Sequence, residues 1–215
     1  MNILSLDMSS KKSGYALFAN GKLKDYGLWE IDTSNEQDWR KRVAFMANCV
    51  NKYCRGRAID TIYVEDVPPI TENMQTTKVL SALQGMLIAM AVQRDIDIEF
   101  VPVKAWKSGV GINITNSKEN NICKEHLKET YGDGAKPYLS KLKRLTKAYE
   151  KKLSVEYANK LFDINLIYKS PTSKKNQDDI ADAICIGAFS IFKDVSPIHN
   201  FNDVMRDIYD EVVAT

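Results

Sequence analysis

Two carboxylates stand where the sequence predicts the ends of buried β-strands. Asp7 follows the apolar run 3–6, and Glu65 follows the apolar run 62–64. A carboxylate at such a place is costly unless it is solvated, paired or bound to a cation. In open α/β sheets, ligands bind at the carboxyl ends of parallel strands. Each acid therefore indicates either a ligand site or, taken alone, an ordinary turn cap.

A third acidic segment opens a predicted helix near the end of the sequence. Asp179 and Asp182 are three residues apart, so both side chains project from one face near the helix start. Asp178 and Asp182, four residues apart, are the competing pair. First-turn acids are also normal caps and dipole partners. That explanation fits Asp178 better than Asp182, which lies between Ala181 and Ala183 on the side expected to pack.

Three acidic segments in a chain with only two histidines favour a hard divalent cation. Mg²⁺ and Mn²⁺ prefer carboxylate and water oxygens as ligands. Two such ions about 4 Å apart can activate a water and stabilise the leaving oxygen of an in-line phosphodiester displacement. The acidic residues thus point to phosphate chemistry.

The positive charge of the chain is concentrated in one stretch. The 215 residues carry a net charge of only +2, but residues 102–175 hold 16 basic and 7 acidic residues, and the remainder holds 14 basic and 21 acidic ones. A basic segment beside an acidic remainder favours a polyanionic partner such as nucleic acid. A solvated lysine-rich helix with no partner is the alternative.

Composition excludes several classes of protein. With 44% hydrophobic and 9% aromatic residues, six prolines and ten glycines, the chain is not disordered, collagen-like or of low complexity. No run of about 18 apolar residues suggests a membrane span, and the first residues lack the basic start of a signal peptide. We therefore expect a cytoplasmic protein without a membrane partner, whose four cysteines are reduced thiols.

Hydrophobic periodicity predicts a layered α/β domain with a mixed sheet, in the order β-β-β-α-β-α-β followed by helices. We find no repeat and no long linker, so the prediction is one domain over 1–215. Helix 73–93 is a candidate subunit interface, and helix 201–213 is either a packing strap or a partner site. The predicted strands are 2–8, 14–20, 23–31, 60–65 and 96–101, with a hairpin turn at Asn20-Gly21, and the predicted helices are 36–55, 73–93, 117–131, 136–169, 177–192 and 201–213.

Five motifs, taken in order, resemble those of RuvC-type Holliday junction resolvases, and most of all the bacteriophage-encoded branch known from lactococcal phage. They are 6–17 (LDMSSKKSGYAL), 63–65 (YVE), 82–87 (ALQGML), 102–107 (PVKAWK) followed by Gly109, Gly111 and Lys118, and 179–183 (DIADA). The resemblance covers about 1–130 and 176–192. One departure is Met8-Ser9, where the family usually has Pro-Gly.

The resemblance implies an RNase H-like fold, namely a five-stranded mixed sheet flanked by helices, and a homodimer that cuts four-way junctions and forks. It implies hydrolysis that leaves 5′-phosphate and 3′-hydroxyl ends, with two Mg²⁺ or Mn²⁺ ions held by Asp7, Glu65, Asp179 and Asp182. Asp178 is an alternative ligand to Asp179. It assigns phosphate or transition-state roles to Lys107 and Lys118, and less firmly to Lys104.

Three other functions stay open at this point. The first is a branched-DNA-binding protein without catalysis, whose acids serve as caps. The second is an actin-like ATPase or sugar kinase, which begins with a similar strand, Asp and hairpin. The third is an RNase H that acts on RNA–DNA hybrids.

Two segments lie outside the family pattern. The basic segment 133–175 is predicted to be a helical insertion that binds DNA or flanks a dimer, although a solvated hairpin is the alternative; its basic residues are Lys141, Lys143, Arg144, Lys147, Lys151 and Lys152. The segment Pro68-Pro69-Ile70-Thr71 either wedges between base pairs at a branch point or simply ends the preceding strand.

Overall fold

The first three strands form an antiparallel meander in the computed structural model, which describes residues 1–67, 74–192 and 200–214. These strands are β1 (Asn2–Asp7), β2 (Lys12–Ala19) and β3 (Lys22–Glu30). Between β2 and β3, Asn20 and Gly21 have φ angles of 51° and 75°. Two positive φ angles are what a two-residue hairpin turn requires, so the predicted turn is confirmed.

Two further strands extend the sheet in the parallel direction. They are β4 (Thr61–Glu65) and β5 (Asp97–Val101), and the strand order is β3-β2-β1-β4-β5. Parallel neighbours need crossover connections, which are supplied by α1 (Trp39–Cys54) and α2 (Met74–Gln93). The predicted mixed five-stranded sheet is therefore confirmed.

One face of the sheet carries the main apolar core. Leu4, Leu6, Ile62 and Val64 alternate along β1 and β4 and pack with residues of α1 and α2, and all four are fully buried. Side chains alternate between the two faces of a strand, so Ser5 and Asp7 point to the opposite face. Burial of each such aliphatic side chain stabilises the fold by about 1.5–3 kcal/mol.

Five α-helices follow β5 in the described part of the chain. They are α3 (Val103–Gly109), α4 (Lys118–Tyr131), α5 (Lys136–Phe162), α6 (Asp178–Phe192) and α7 (Phe201–Val213). Helix α6 covers the second face of the sheet: Ser5 Oγ donates a 2.7 Å hydrogen bond to the Ala183 carbonyl oxygen. Gly187 of α6 lies so close to β2 that an added Cβ would overlap the Phe18 ring.

The chain divides into two compact units. The first comprises Met1–Trp106 and Asp179–Lys193, and contains the sheet with α1, α2 and nearly all of α6. The second comprises Lys107–Asp178 and Asp194–Thr215, and is helical in its described part. In this second unit α7 packs on α4 and α5 and buries Met205, Ile208 and Val212. The apolar stripe of α7 therefore acts as a packing strap.

Two helix boundaries differ from the predictions by three residues or more. Helix α1 starts at Trp39 because the Asp38 side chain caps it by accepting a hydrogen bond from the Arg40 backbone N–H. Helix α5 ends at Phe162, seven residues before the predicted end, because Asp163 adopts the left-handed conformation. The short helix α3 was not predicted.

The structure also bears on the state of the cysteines and on membrane spans. All four cysteines are free thiols, as predicted. Over the ranges that the structure describes, every helix is too short or too polar to cross a membrane.

Candidate active site

Asp7 and Glu65 end neighbouring parallel strands. The register pairs Leu6 of β1 with Val64 of β4, so the next residue of each strand, Asp7 or Glu65, lies at the same edge of the sheet. Since Leu6 and Val64 point into the core under α1 and α2, the two carboxylates point to the face that α6 covers. Both acidic residues are half-buried.

The start of α6 lies at this same edge. Asp7 is the register partner of Gly14 on β2. An added Cβ at Gly14 would overlap the backbone carbonyl of Asp179, so the first turn of α6 rests directly on this glycine. That turn carries Asp179 and leads to Asp182, which is half-buried. The three predicted acidic segments therefore lie on one face of the first unit.

Asp179 has a basic neighbour on β2. Its Oδ2 lies 2.7 Å from Lys12 Nζ, and both side chains are about one-quarter exposed, at 25% and 28%. Partial exposure makes such a pair weak in stability terms. Its importance is local: the structure places a cationic group beside one of the predicted metal ligands.

Glu65 is oriented by a buried tryptophan. Trp106 Nε1–H donates a 3.1 Å hydrogen bond to Glu65 Oε2, and the indole is fully buried. A further carboxylate follows directly at Asp66, whose backbone N–H donates to the Val101 carbonyl oxygen at 2.9 Å. Gln84 Nε2 lies 3.4 Å from both the Glu65 carbonyl oxygen and Asp66 Oδ1. The end of β4 is thus held by side chains of α2 and α3.

The carboxylates share a face but are not gathered around one point. Within residues 1–67, 74–192 and 200–214, no group of three or more His, Cys, Asp or Glu side chains is close enough to hold a metal ion. Asp179 pairs with Lys12, and Glu65 accepts from Trp106. The chemistry of carboxylate ligands fits Mg²⁺ or Mn²⁺, although Lys12 is the group that now neutralises Asp179. Metal binding by these residues stays a prediction.

Asp178, the alternative ligand, has its own charge partner. It is 6% exposed and forms an ion pair with Lys151 of α5, within the second unit. Its carboxylate is therefore engaged by a lysine of the basic segment.

The three lysines predicted to contact phosphate differ in exposure. Lys104 on α3 is exposed, and so is Lys118, the first residue of α4 after the capping Ser117. Lys107 is only 20% exposed, and its Nζ lies 2.9 Å from Oε2 of the buried Glu150.

Glu150 also organises the chain around Lys107. Its Oε1 accepts a 2.7 Å hydrogen bond from the Thr115 backbone N–H. The Glu150 side chain is 5% exposed, and a buried carboxylate is costly unless it has partners. Lys107 compensates its charge, and the Thr115 N–H satisfies its second oxygen. Lys107 consequently has a structural contact that its sequence position did not indicate.

The basic segment is dominated by the 27-residue helix α5. Leu142, Leu145 and Leu153 bury one side of this helix, so the segment is a packed helix rather than a solvated hairpin. Lys141 Nζ donates a 2.6 Å hydrogen bond to the Glu211 carbonyl oxygen. The other predicted DNA-binding residues are exposed on α5: Lys143, Arg144 and Lys147.

Sequence reasoning missed the contributions of Trp106 and Gly14. Both stand inside the motifs that carry the resemblance, but only their types, a large aromatic and a glycine, hint at close packing. The predicted wedge Pro68-Pro69-Ile70-Thr71 lies outside the described residues.

The sequence matches no protein-family model and no curated protein. Among solved structures, it is similar to Thermus thermophilus RuvC in complex with a Holliday junction substrate, with a TM-score of 0.57 and 10% identity, over 92% of this chain and 100% of that one. Another structure of Thermus thermophilus RuvC gives a TM-score of 0.54 and 12% identity at the same coverage. The likeness shows the fold: the chain has the RNase H-like fold of RuvC, as predicted.

Proposed function

We propose that this chain is a structure-selective endonuclease that resolves Holliday junctions and other branched DNA by metal-dependent phosphodiester hydrolysis. One observation carries the proposal: Asp7 and Glu65 end adjacent parallel strands, and the first turn of α6, which carries Asp179, rests on Gly14, the register partner of Asp7. The fold is shared with a RuvC whose structure includes a Holliday junction substrate. The products would carry 5′-phosphate and 3′-hydroxyl ends.

In this proposal Asp7, Glu65, Asp179 and Asp182 hold two Mg²⁺ or Mn²⁺ ions. When bound, the ions supply the activation of water and the stabilisation of the leaving oxygen. Trp106 keeps the Glu65 carboxylate in one orientation through its indole N–H. Lys12 balances the charge of Asp179, which lowers the cost of keeping several carboxylates on one face.

The charge distribution supports a nucleic acid as the substrate, and the fold shared with RuvC supports branched DNA in particular. Exposed Lys104 and Lys118 are suited to phosphate contacts, as are Lys143, Arg144 and Lys147 on α5. Lysine and arginine neutralise backbone phosphates without reading sequence. The similarity of the motifs to the phage-encoded branch supports action on phage or host DNA in the bacterial cytoplasm.

The exposed apolar residues of α2 favour a second copy of the chain as a partner. This helix exposes four large apolar side chains to solvent: Met74 by 87%, Met86 by 41%, Ile88 by 42% and Val92 by 74%. Ile88 and Val92 are four residues apart and share one face of the helix, and exposed apolar side chains that share a face favour an interaction site. A four-way junction needs two cuts, and a two-fold dimer presents two equal sites. We therefore assign the outer face of α2 to a homodimer.

The test is to incubate the purified protein with a 5′-labelled synthetic four-way junction, with Mg²⁺ or with EDTA, and to map the cuts. The proposal predicts paired nicks in Mg²⁺ only, which DNA ligase can reseal because the ends are 5′-phosphate and 3′-hydroxyl. Parallel reactions contain a linear duplex, an RNA–DNA hybrid, or ATP. Tight junction binding without cutting in Mg²⁺ would contradict the proposal in favour of a binding protein. Preferred cleavage of the hybrid, or hydrolysis of ATP, would contradict it in favour of the other two alternatives.

A further inference from the structure

A pocket of about 340 Å³ lies within the second unit. One wall is a face of α5 that includes Tyr149 and Lys152, and the other is the chain segment that includes Tyr168, Lys169 and Pro171. Glu211 of α7 also lines the pocket. The volume is at the small end of the range of about 300–1,000 Å³ found for ligand sites. It suits one flat group rather than a folded partner.

The segment that forms the second wall is held in place by two asparagines. Asn159 accepts a 2.7 Å hydrogen bond from the Leu166 N–H and donates a 3.0 Å bond to the Leu166 carbonyl oxygen. Asn176, which is 8% exposed, accepts from the Lys169 N–H at 2.9 Å and donates to the Ser170 carbonyl oxygen at 2.7 Å. These four bonds fix the wall on both sides of Tyr168, so the pocket is largely pre-formed.

The two tyrosines give the pocket flat apolar surfaces. Tyr168 is held against α5, since its hydroxyl donates a 2.9 Å hydrogen bond to the Ala148 carbonyl oxygen. Burial raises the pKa of Tyr168, and the Asp178 carboxylate raises that pKa further, while Lys151 lowers it. The phenol is therefore neutral and remains a donor. Tyr149 lies on the opposite wall, with Lys152 Nζ 5.3 Å from its ring centroid.

The lining charges favour an anionic ligand. Lys152 and Lys169 are both exposed at the pocket, where Glu211 is the acidic lining residue. Lys152 lies 3.6 Å from Glu156, but both side chains are nearly half-exposed. Such a pair is worth little and readily exchanges for a phosphate. Aromatic faces beside lysines are the features by which proteins hold single-stranded nucleic acid.

We propose that this pocket takes one unstacked base of single-stranded DNA, stacked on Tyr149, with the flanking phosphates on Lys152 and Lys169. The inference rests on the proposed function for its substrate class and adds a site for the unpaired strand. Forks with single-stranded arms carry unpaired bases. Every base offers a flat face for stacking, so the site would select for strand state and not for sequence.

The direct test is photo-crosslinking of the full chain in EDTA. The probe is a short thymidine oligonucleotide with one 5-iodouracil, irradiated at long wavelength, and mass spectrometry then locates the attached peptide. The proposal predicts attachment at Tyr149 or Tyr168. Attachment confined to peptides outside 145–171 would overturn it.

A second measurement uses fluorescence anisotropy with the same oligonucleotide in EDTA. Tyr149→Leu removes the stacking ring and keeps apolar volume, and Lys169→Ala changes only an exposed side chain on the other wall. Each should weaken binding about tenfold. The matched control is Lys128→Ala, which removes one exposed charge from α4 in the same unit and should leave the affinity unchanged.

The outcomes separate this inference from the proposed function. If Tyr149→Leu does not fold, Lys152→Ala and Lys169→Ala carry the test. Unchanged affinity in both lysine variants overturns the pocket, whether or not the wild-type protein cuts junctions. Loss of oligonucleotide binding in these variants supports the pocket even if the wild-type protein cuts no junction, in which case the nuclease proposal alone fails.

Discussion

Trp106 Nε1 and Glu65 Oε2 are 3.1 Å apart, and the indole that donates this hydrogen bond is fully buried. The tryptophan follows β5 on α3, whereas the glutamate ends β4. A buried donor restricts a carboxylate to one orientation, and partners of this kind tune the affinity of metal ligands. Trp106 is therefore a positioning residue for Glu65.

Trp106→Phe should preserve most of the buried apolar volume and remove the donor. Because Glu65 then loses its fixed orientation, the Mg²⁺ concentration for half-maximal junction cleavage should rise about tenfold. Titration of cleavage rate against Mg²⁺ measures this effect.

The matched control for that variant is Trp29→Phe. Trp29 stacks on Tyr15 at 4.5 Å in the same unit and packs on the core face of the sheet, opposite the strand-end carboxylates. Its variant should show an unaltered Mg²⁺ requirement. If the cleavage rates of the two variants depend on Mg²⁺ concentration in the same way, Trp106 does not position Glu65.

Gly14→Ala should displace the start of α6. The added methyl group would overlap the Asp179 carbonyl, and overpacking of this kind typically costs about 1–3 kcal/mol. We expect a lower free energy of unfolding in urea and a loss of cleavage at temperatures where the variant remains folded. Gly134→Ala is the control, since an added Cβ there meets nothing within 4 Å. A Gly14→Ala variant as stable and active as Gly134→Ala would contradict the packing of α6 on β2.

Glu150→Gln should destabilise the second unit. The change removes the charge partner of the mostly buried Lys107, and hydrogen bonds to charged groups contribute about 1.5–3 kcal/mol. Glu156→Gln on the same helix removes an equal charge from a pair whose side chains are 40% and 45% exposed. That control should change stability by less than about 0.5 kcal/mol. Urea unfolding of both variants checks the difference, which should vanish if the Glu150 pair is not formed.

Ile88→Glu should separate the proposed dimer. The residue is 42% exposed on α2, one turn from the exposed Val92, and a carboxylate buried between two copies would be costly. Light scattering should give twice the 24.4 kDa chain mass for the wild-type protein and the single mass for this variant. Ile122→Glu, on an exposed site of α4, should remain dimeric. A wild-type protein of single mass would end the dimer proposal.

The sheet and its strand ends could be predicted because they depend on local pattern. The apolar residues around Ser5 marked β1 and the apolar run 62–64 marked β4, so the acids that follow them were expected at strand ends. Asn20-Gly21 fixed a hairpin because both residues tolerate positive φ. The expectation that Asp179 lies near the strand ends of β1 and β4 came from the resemblance of the motifs, taken in order, to those of RuvC-type resolvases.

Contacts between residues far apart in the chain could not be predicted from the sequence. Lys107 and Glu150 are 43 positions apart, and nothing in either segment indicates their pairing. The helical sequence pattern continues past Phe162, where α5 ends. The turn at Asp163 is stabilised by Asn159, whose side chain forms hydrogen bonds with the backbone of Leu166. Side-chain partners such as Trp106 for Glu65 depend on how α3 packs against β4, and the sequence shows α3 only as a short segment after a proline.

The most direct test of the carboxylate site is anomalous diffraction from crystals soaked in MnCl₂. The account predicts manganese bound between Asp7 and Glu65, with carboxylates from the first turns of α6 as further ligands, and no such signal in crystals of Asp7→Asn. A crystal that binds manganese elsewhere, or the same signal in the Asp7→Asn variant, would contradict it.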